Sequence, residues 1–183
     1  FPRKWADTSA FIAWFEDTLN QARGAYTKLA EANLCVPCDL SAEYLFEHTY
    51  FVVGAHPYSA PDYNQEAEQR LFELLEHPLC VGVGEIGLDF GPYCEVPEEV
   101  QRQAFECQLL IAHERNQRVE LHLRDGADNA HAHDLALEIL NRLGVPKAGC
   151  DLHCYTDGPE VMKPFADLGC FVAFGGAATF KRS

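Results

Sequence analysis

Three short apolar runs of this chain end on residues able to hold a metal ion. The run Gly82-Val83-Gly84-Glu85-Ile86-Gly87-Leu88-Asp89 carries two carboxylates. Val119-Glu120-Leu121-His122 and Asp151-Leu152-His153 each end on an imidazole. A carboxylate and two imidazoles, each at the carboxyl end of its own strand, is how an α/β barrel assembles a metal site. Three protein ligands leave positions open for water and a substrate oxygen, so the chemistry indicated is metal-assisted hydrolysis. Glu85, His122 and His153 are the expected ligands.

Other residues are placed around that trio. Asp89, four residues past Glu85, is the candidate for acid/base work or for holding a ligand from behind, with a helix or turn cap as its alternative role. Side chains two apart share a strand face, so Glu120 lies with His122 and Asp151 with His153. Ligating histidines commonly donate their second ring N–H to a carboxylate, which makes Glu120 and Asp151 candidate orienting partners. The HxH pair His131-Ala132-His133 falls at a helix start, where residues i and i+2 diverge by about 200°. Both are expected at the surface, as are His48, His77 and His113. Eight cysteines are present, mostly in apolar strand-like runs where a thiol is a small buried hydrophobe. Cys35-Val36-Pro37-Cys38 has CxxC spacing without a second pair, and a structural role is expected.

These residues need elements to position them. Strand signals near 33–38, 50–55, 79–86, 118–123, 149–154 and 170–175 alternate with helical stretches near 8–31, 62–76, 97–116, 129–143 and 158–168. In the last half of the 97–116 stretch, Phe105, Leu109 and Ala112 fall on one helical face. The alternation implies parallel strands joined by crossover helices, in one domain over residues 1–183. A doubly wound nucleotide fold would show a Gly-rich turn after its first strand, and nothing near residue 38 resembles one. Polar residues recur at strand ends instead, at His56, Glu85, His122 and His153. The expected fold class is α/β, a TIM (β/α)8-type barrel with about six strands present.

The net charge of −14 argues against a module that grips nucleic acid stably by its phosphates. An enzyme acting on phosphate esters is compatible with it, because a bound ion supplies the local positive charge. No apolar run approaches the roughly 20 residues of a membrane span, and no signal-peptide pattern opens the chain. A cytoplasmic location without membrane contact is expected.

Five segments, taken in order, resemble the motifs of TatD-type metal-dependent deoxyribonucleases: Gly54-Ala55-His56-Pro57, the Gly82–Asp89 run, Leu121-His122-Leu123-Arg124, His153-Cys154-Tyr155-Thr156-Asp157-Gly158, and Phe174-Gly175-Gly176 through Thr179-Phe180-Lys181. The resemblance implies a TIM-barrel hydrolase that cleaves DNA, single strands included, from the 3′ end with one or two divalent ions. It also implies that Glu85, His122 and His153 are ligands, the same trio read from the strand ends. Three departures stand out. Family members open with a strand bearing HxH, whereas residues 1–32 hold no histidine; barrel strands one and eight, with a late Asp, are expected to be missing; and Glu120 replaces a usually apolar residue.

The expected reaction is phosphodiester hydrolysis at Mg, Mn or Zn. Arg124 and Lys181 would bind substrate phosphate, and His56 and Tyr155 would contact the substrate or stack on an unpaired base. Two alternatives are a metal-dependent amidohydrolase acting on a small substrate, and a non-catalytic truncated barrel serving as scaffold. A carbamylated strand lysine would mark the first, and none is visible in an inward-facing position.

Overall fold

The computed structural model describes residues 7–32, 42–127 and 129–179. Contacts group the described residues into two compact units, one up to Phe51 and one from Val52 onward. The strand expected near 33–38, with Cys35 and Cys38, lies outside the described residues, as does Lys181.

In the first unit, helix α1 (Thr8–Glu31) begins where the Asp7 carboxylate accepts the Ala10 N–H at 2.8 Å, an N-cap that satisfies an orphan donor. Phe11, Trp14 and Phe15 recur at helical spacing, and Phe11 and Phe15 each meet Phe51 edge-on, at 5.2 and 5.0 Å. Helix α2 (Ala42–Glu47) is short and packs on α1.

In the second unit strands and helices alternate as the sequence leads one to expect. β1 (Phe51–Val53), α3 (Gln65–Leu75), β2 (Cys80–Asp89), α4 (Glu98–Glu114), β3 (Arg118–Arg124), α5 (His131–Leu143), β4 (Cys150–Leu152), α6 (Pro159–Asp167) and β5 (Phe171–Val172) follow one another, with short 3-10 helices at Pro57–Asp62 and Gly176–Thr179. The five strands form one sheet in the order β1-β2-β3-β4-β5, and the pairs from β2 to β5 are parallel. A sheet whose strands neighbour one another in chain order winds one way only, as a barrel does. A doubly wound sheet would reverse direction at a switch point.

The core is built as the 2-residue and 3.6-residue periods require. Val83, Ile86 and Leu88 of β2, with Val119 and Leu121 of β3, are closed from solvent against Phe105, Leu109 and Ala112 of α4 and Ile139 and Leu140 of α5. Two buried glutamines on α4 clip strand ends into place. The Gln101 amide accepts the Asp89 N–H at 2.8 Å and donates to the Asp89 carbonyl at 3.0 Å. Gln108 does the same for Ala55, at 2.6 and 3.2 Å. In effect α4 holds the backbone on which two site residues, His56 and Asp89, are mounted. Gln108→Leu should therefore strand two buried backbone groups and cost about 2 kcal/mol. Calorimetric melting should register this as a fall of about 4–8 °C.

Candidate metal centre

β2 carries an irregularity where the centre needs it. Its register with β3 shifts between Val83 and Ile86, which takes Gly84 and Glu85 out of the regular ladder. Such a bulge re-aims a side chain. Gly84 must stay small, since a Cβ there would lie 2.7 Å from the Glu120 Cβ. Gly87 has φ +138° and presses on the His122 carbonyl, a conformation and a closeness that only glycine accommodates. Two glycines thus let β2 and β3 bring their acidic and imidazole side chains together.

The Glu85 carboxylate sits between the imidazoles. Its Oε2 lies 3.7 Å from His122 Nδ1 and 3.6 Å from His56 Nε2, and its Oε1 lies 3.2 Å from His153 Nε2. Each of the two expected histidine ligands is gripped from behind by a different carboxylate. Asp89, fully buried, takes the His122 Nε2–H at 2.8 Å, and Glu120 takes the His153 Nδ1–H at 2.6 Å. Those bonds fix both tautomers and leave lone pairs on His122 Nδ1 and His153 Nε2 toward Glu85, the latter also in reach of the Cys154 thiol at 3.1 Å. A carboxylate facing two imidazole lone pairs is repulsive until a cation enters, so the donor set fits a divalent ion. Two groups of donors have ligand atoms within 4.8 Å of one another, His56-Glu85-His122 and Glu85-Glu120-His153, and Glu85 belongs to both.

The structure also locates the remaining expected residues. Asp89 is not open to substrate: its Oδ1 accepts the Gly91 N–H at 2.8 Å, and its Oδ2 meets His122 and, at 3.7 Å, Arg124. Glu120 reaches across to His153, just past the end of the neighbouring strand β4, rather than staying with His122. Burial pushes the Glu120 carboxyl upward, and His153 opposes the shift. Asp151, half-buried beside His153, is also raised by burial. Arg124 is exposed at the mouth. His56 accepts the Tyr58 N–H on Nδ1 at 3.2 Å. Burial first, and His122 second, lower its pKa to about 4, so at neutral pH its ring is uncharged and carries its proton on Nε2. Tyr155 is buried, with its hydroxyl donating to the Gly158 carbonyl at 2.6 Å.

The histidines expected at the surface also need correction, since His113 is half-buried with Nε2 3.1 Å from the Gly144 carbonyl. His131 is exposed as expected, bonded to Glu98 at 2.8 Å, but His133 is only 2% exposed. The i, i+2 divergence holds and sends His131 outward and His133 inward. The signal available in the sequence was Asp125, six residues before the helix, whose Oδ1 caps the helix start through the Ala132 N–H at 2.6 Å.

A parallel sheet wound as in a barrel, with carboxylates and imidazoles gathered at its strand ends, is an α/β architecture that can hold a metal ion. The family model for TatD-related DNases matches residues 27–183, and the chain belongs to that family. It is 30% identical over 138 residues to a Bacillus subtilis protein named an uncharacterized metal-dependent hydrolase, YabD, a stretch covering 75% of this chain and 51% of that one. Against a 3′-5′ ssDNA/RNA exonuclease TatD of Escherichia fergusonii it is 33% identical over 131 residues, 72% of this chain and 48% of the relative. The crystal structure of YJJV, a TatD homologue from Escherichia coli K12, superposes with a TM-score of 0.59 at 28% identity, covering 72% of this chain and 48% of that one. The chain spans about half the length of these curated relatives.

Proposed function

We propose that the protein to which this chain belongs hydrolyses phosphodiester bonds in nucleic acid, single strands included, as a 3′-5′ exonuclease using one or two divalent ions. The observation that carries this reading is the Glu85 carboxylate set between two imidazole nitrogens, at 3.2 and 3.7 Å, whose tautomers are fixed by Glu120 and Asp89. Glu85, His122 and His153 would hold the ion. Because each oxygen of Glu85 faces a different histidine, the carboxylate can serve one ion or be shared between two. When bound, the ion supplies a low-pKa water and polarises the phosphoryl oxygen.

The chain's own residues divide the remaining work. Asp89 and Glu120 hold the ligand rings and set their tautomers, Asp89 as a positioning residue rather than an acid or base. Asp151 adds a further acidic neighbour to His153. Arg124, exposed at the mouth, is placed to bind a substrate phosphate. His56 can donate its Nε2–H to a substrate oxygen. Tyr155 props the loop after β4 through Gly158. Lys181 keeps its proposed phosphate contact on the resemblance alone. The relatives named as ssDNA/RNA exonucleases support the choice of substrate class. Against an amidohydrolase built on a carbamylated lysine, none of the described strands contains a lysine.

A chelation experiment tests this function. The whole protein, stripped with EDTA, is expected to lose release of 3′ mononucleotides from a 5′-labelled single strand, and to regain it with Mg, Mn or Zn. Turnover unaffected by chelation would defeat the reading.

A further inference from the structure

A second cluster lies apart from the Glu85 centre, at the start of α5. His133 Nδ1 is 2.6 Å from Asp125 Oδ2, and Asp125 Oδ1 accepts the Ala132 and His133 N–H groups at 2.6 and 3.3 Å. Both oxygens of Asp125 are thus committed to holding the helix start and the ring. The ring is wedged edge-on against Tyr155 at 6.1 Å and Phe165 at 5.9 Å. It cannot turn without repacking the core, and its side chain is 3% exposed.

A carboxylate on Nδ1 fixes the proton there and directs the Nε2 lone pair outward, the same arrangement that orients metal-ligating histidines. Nε2 points at Asp157 Oδ2, 3.9 Å away, on the loop after β4. That distance is too long for a direct hydrogen bond and leaves room for one bridging species, a cation or a water, between the lone pair and the carboxylate. Bonds of about 2.1 Å to one tetrahedral ion would place the two donors about 3.4 Å apart. Asp157, with its side chain 43% exposed, can close the difference. Asp125 lies within 4.8 Å of both donors, but its oxygens are already committed, so His133 Nε2 and Asp157 are the two protein donors and water would complete the shell.

We infer that His133 Nε2 and Asp157 form a second, separate site for a transition-metal ion such as zinc, with Asp125 orienting the imidazole. A nitrogen and a carboxylate oxygen suit zinc or manganese better than magnesium, which prefers oxygen ligands and water. The ion would pin the loop after β4, which carries His153, to the start of α5. The site makes no use of Glu85, His122 or His153 and does not depend on the proposed reaction.

Equilibrium dialysis against zinc, with metal counted per chain, tests it. The background is the 183-residue chain carrying Glu85→Ala and His153→Ala. That variant should still bind about one zinc, and adding Asp157→Asn should reduce binding at least tenfold. Asp157 is exposed, so this substitution leaves packing intact, and an unchanged melting curve confirms it. His133→Gln should match it. Zinc uptake unaffected by Asp157→Asn overturns the inference. So does nitrogen NMR showing His133 protonated on both ring nitrogens with zinc present, since a proton would then fill the gap. If parent and Glu85→Ala chains bind equal amounts of zinc, all of it lost on Asp157→Asn, the Glu85 centre fails while this site stands.

Discussion

Glu85→Ala should abolish nuclease activity and leave the fold standing. Glu85 is the one carboxylate common to both donor groups, with an oxygen toward each ligand histidine. Removing it leaves two imidazoles without an anionic ligand between them. The loss in metal affinity should exceed the about 10–100-fold that an outer-shell partner is worth. The ion supplies several kcal/mol of transition-state stabilisation, so activity should fall by about three decades or more. Stability should barely move, because the side chain is partly exposed and faces lone pairs when no ion is bound. A melting temperature within about 2 °C of the parent, with activity gone, is the expected pair of results. Unchanged turnover in this variant would sink the site assignment.

Asp89→Asn should act on the metal without touching it. The Gly91 N–H must be accepted by the side-chain oxygen now at Oδ1, 2.8 Å away. The new NH2 group then occupies the Oδ2 position, 2.8 Å from His122 Nε2. Two donors cannot face each other, so His122 must move its proton to Nδ1, the nitrogen that faces Glu85. A ring with its proton on the ligand side cannot bind an ion. Metal affinity should fall by about 10–100-fold. The backbone should stay in place, since Gln101 grips Asp89 through both its N–H and its carbonyl. Nitrogen NMR of the metal-free variant should show the tautomer switch directly. An unswitched His122 with parental affinity would mean that Asp89 does something other than position the ring.

Much of this geometry was legible before any coordinates. Strand and helix positions in residues 50–175 follow from period-2 and period-3.6 patterns, and the convergence of Glu85, His122 and His153 follows from polar residues at strand ends. What escaped is what pairwise spacing along one strand cannot show. Glu120 was read with His122 because they share a strand face, yet the bulge in β2 and the approach at Gly84 open the way for it to meet His153. Between acid/base work and holding a ligand, the spacing around Asp89 could not choose, because the residue that covers it, His122, is 33 positions away. Gln101 and Gln108 carry no sequence signal of their own, and only the tertiary structure shows their amides satisfying the backbone of Asp89 at the end of β2 and of Ala55 just past β1. His133 was discounted because half of an HxH pair on a helix does face solvent, and the buried half takes its role from Asp125 and Asp157.

The central claim is that Glu85, His122 and His153 hold one centre between them. Calorimetric titration of the chain with zinc or manganese, repeated with His122→Ala and His153→Ala in the Asp157→Asn background, tests it most directly. Binding present in the Asp157→Asn parent and lost in both histidine variants is the expected result. Binding that persists undiminished when either histidine is removed would contradict it.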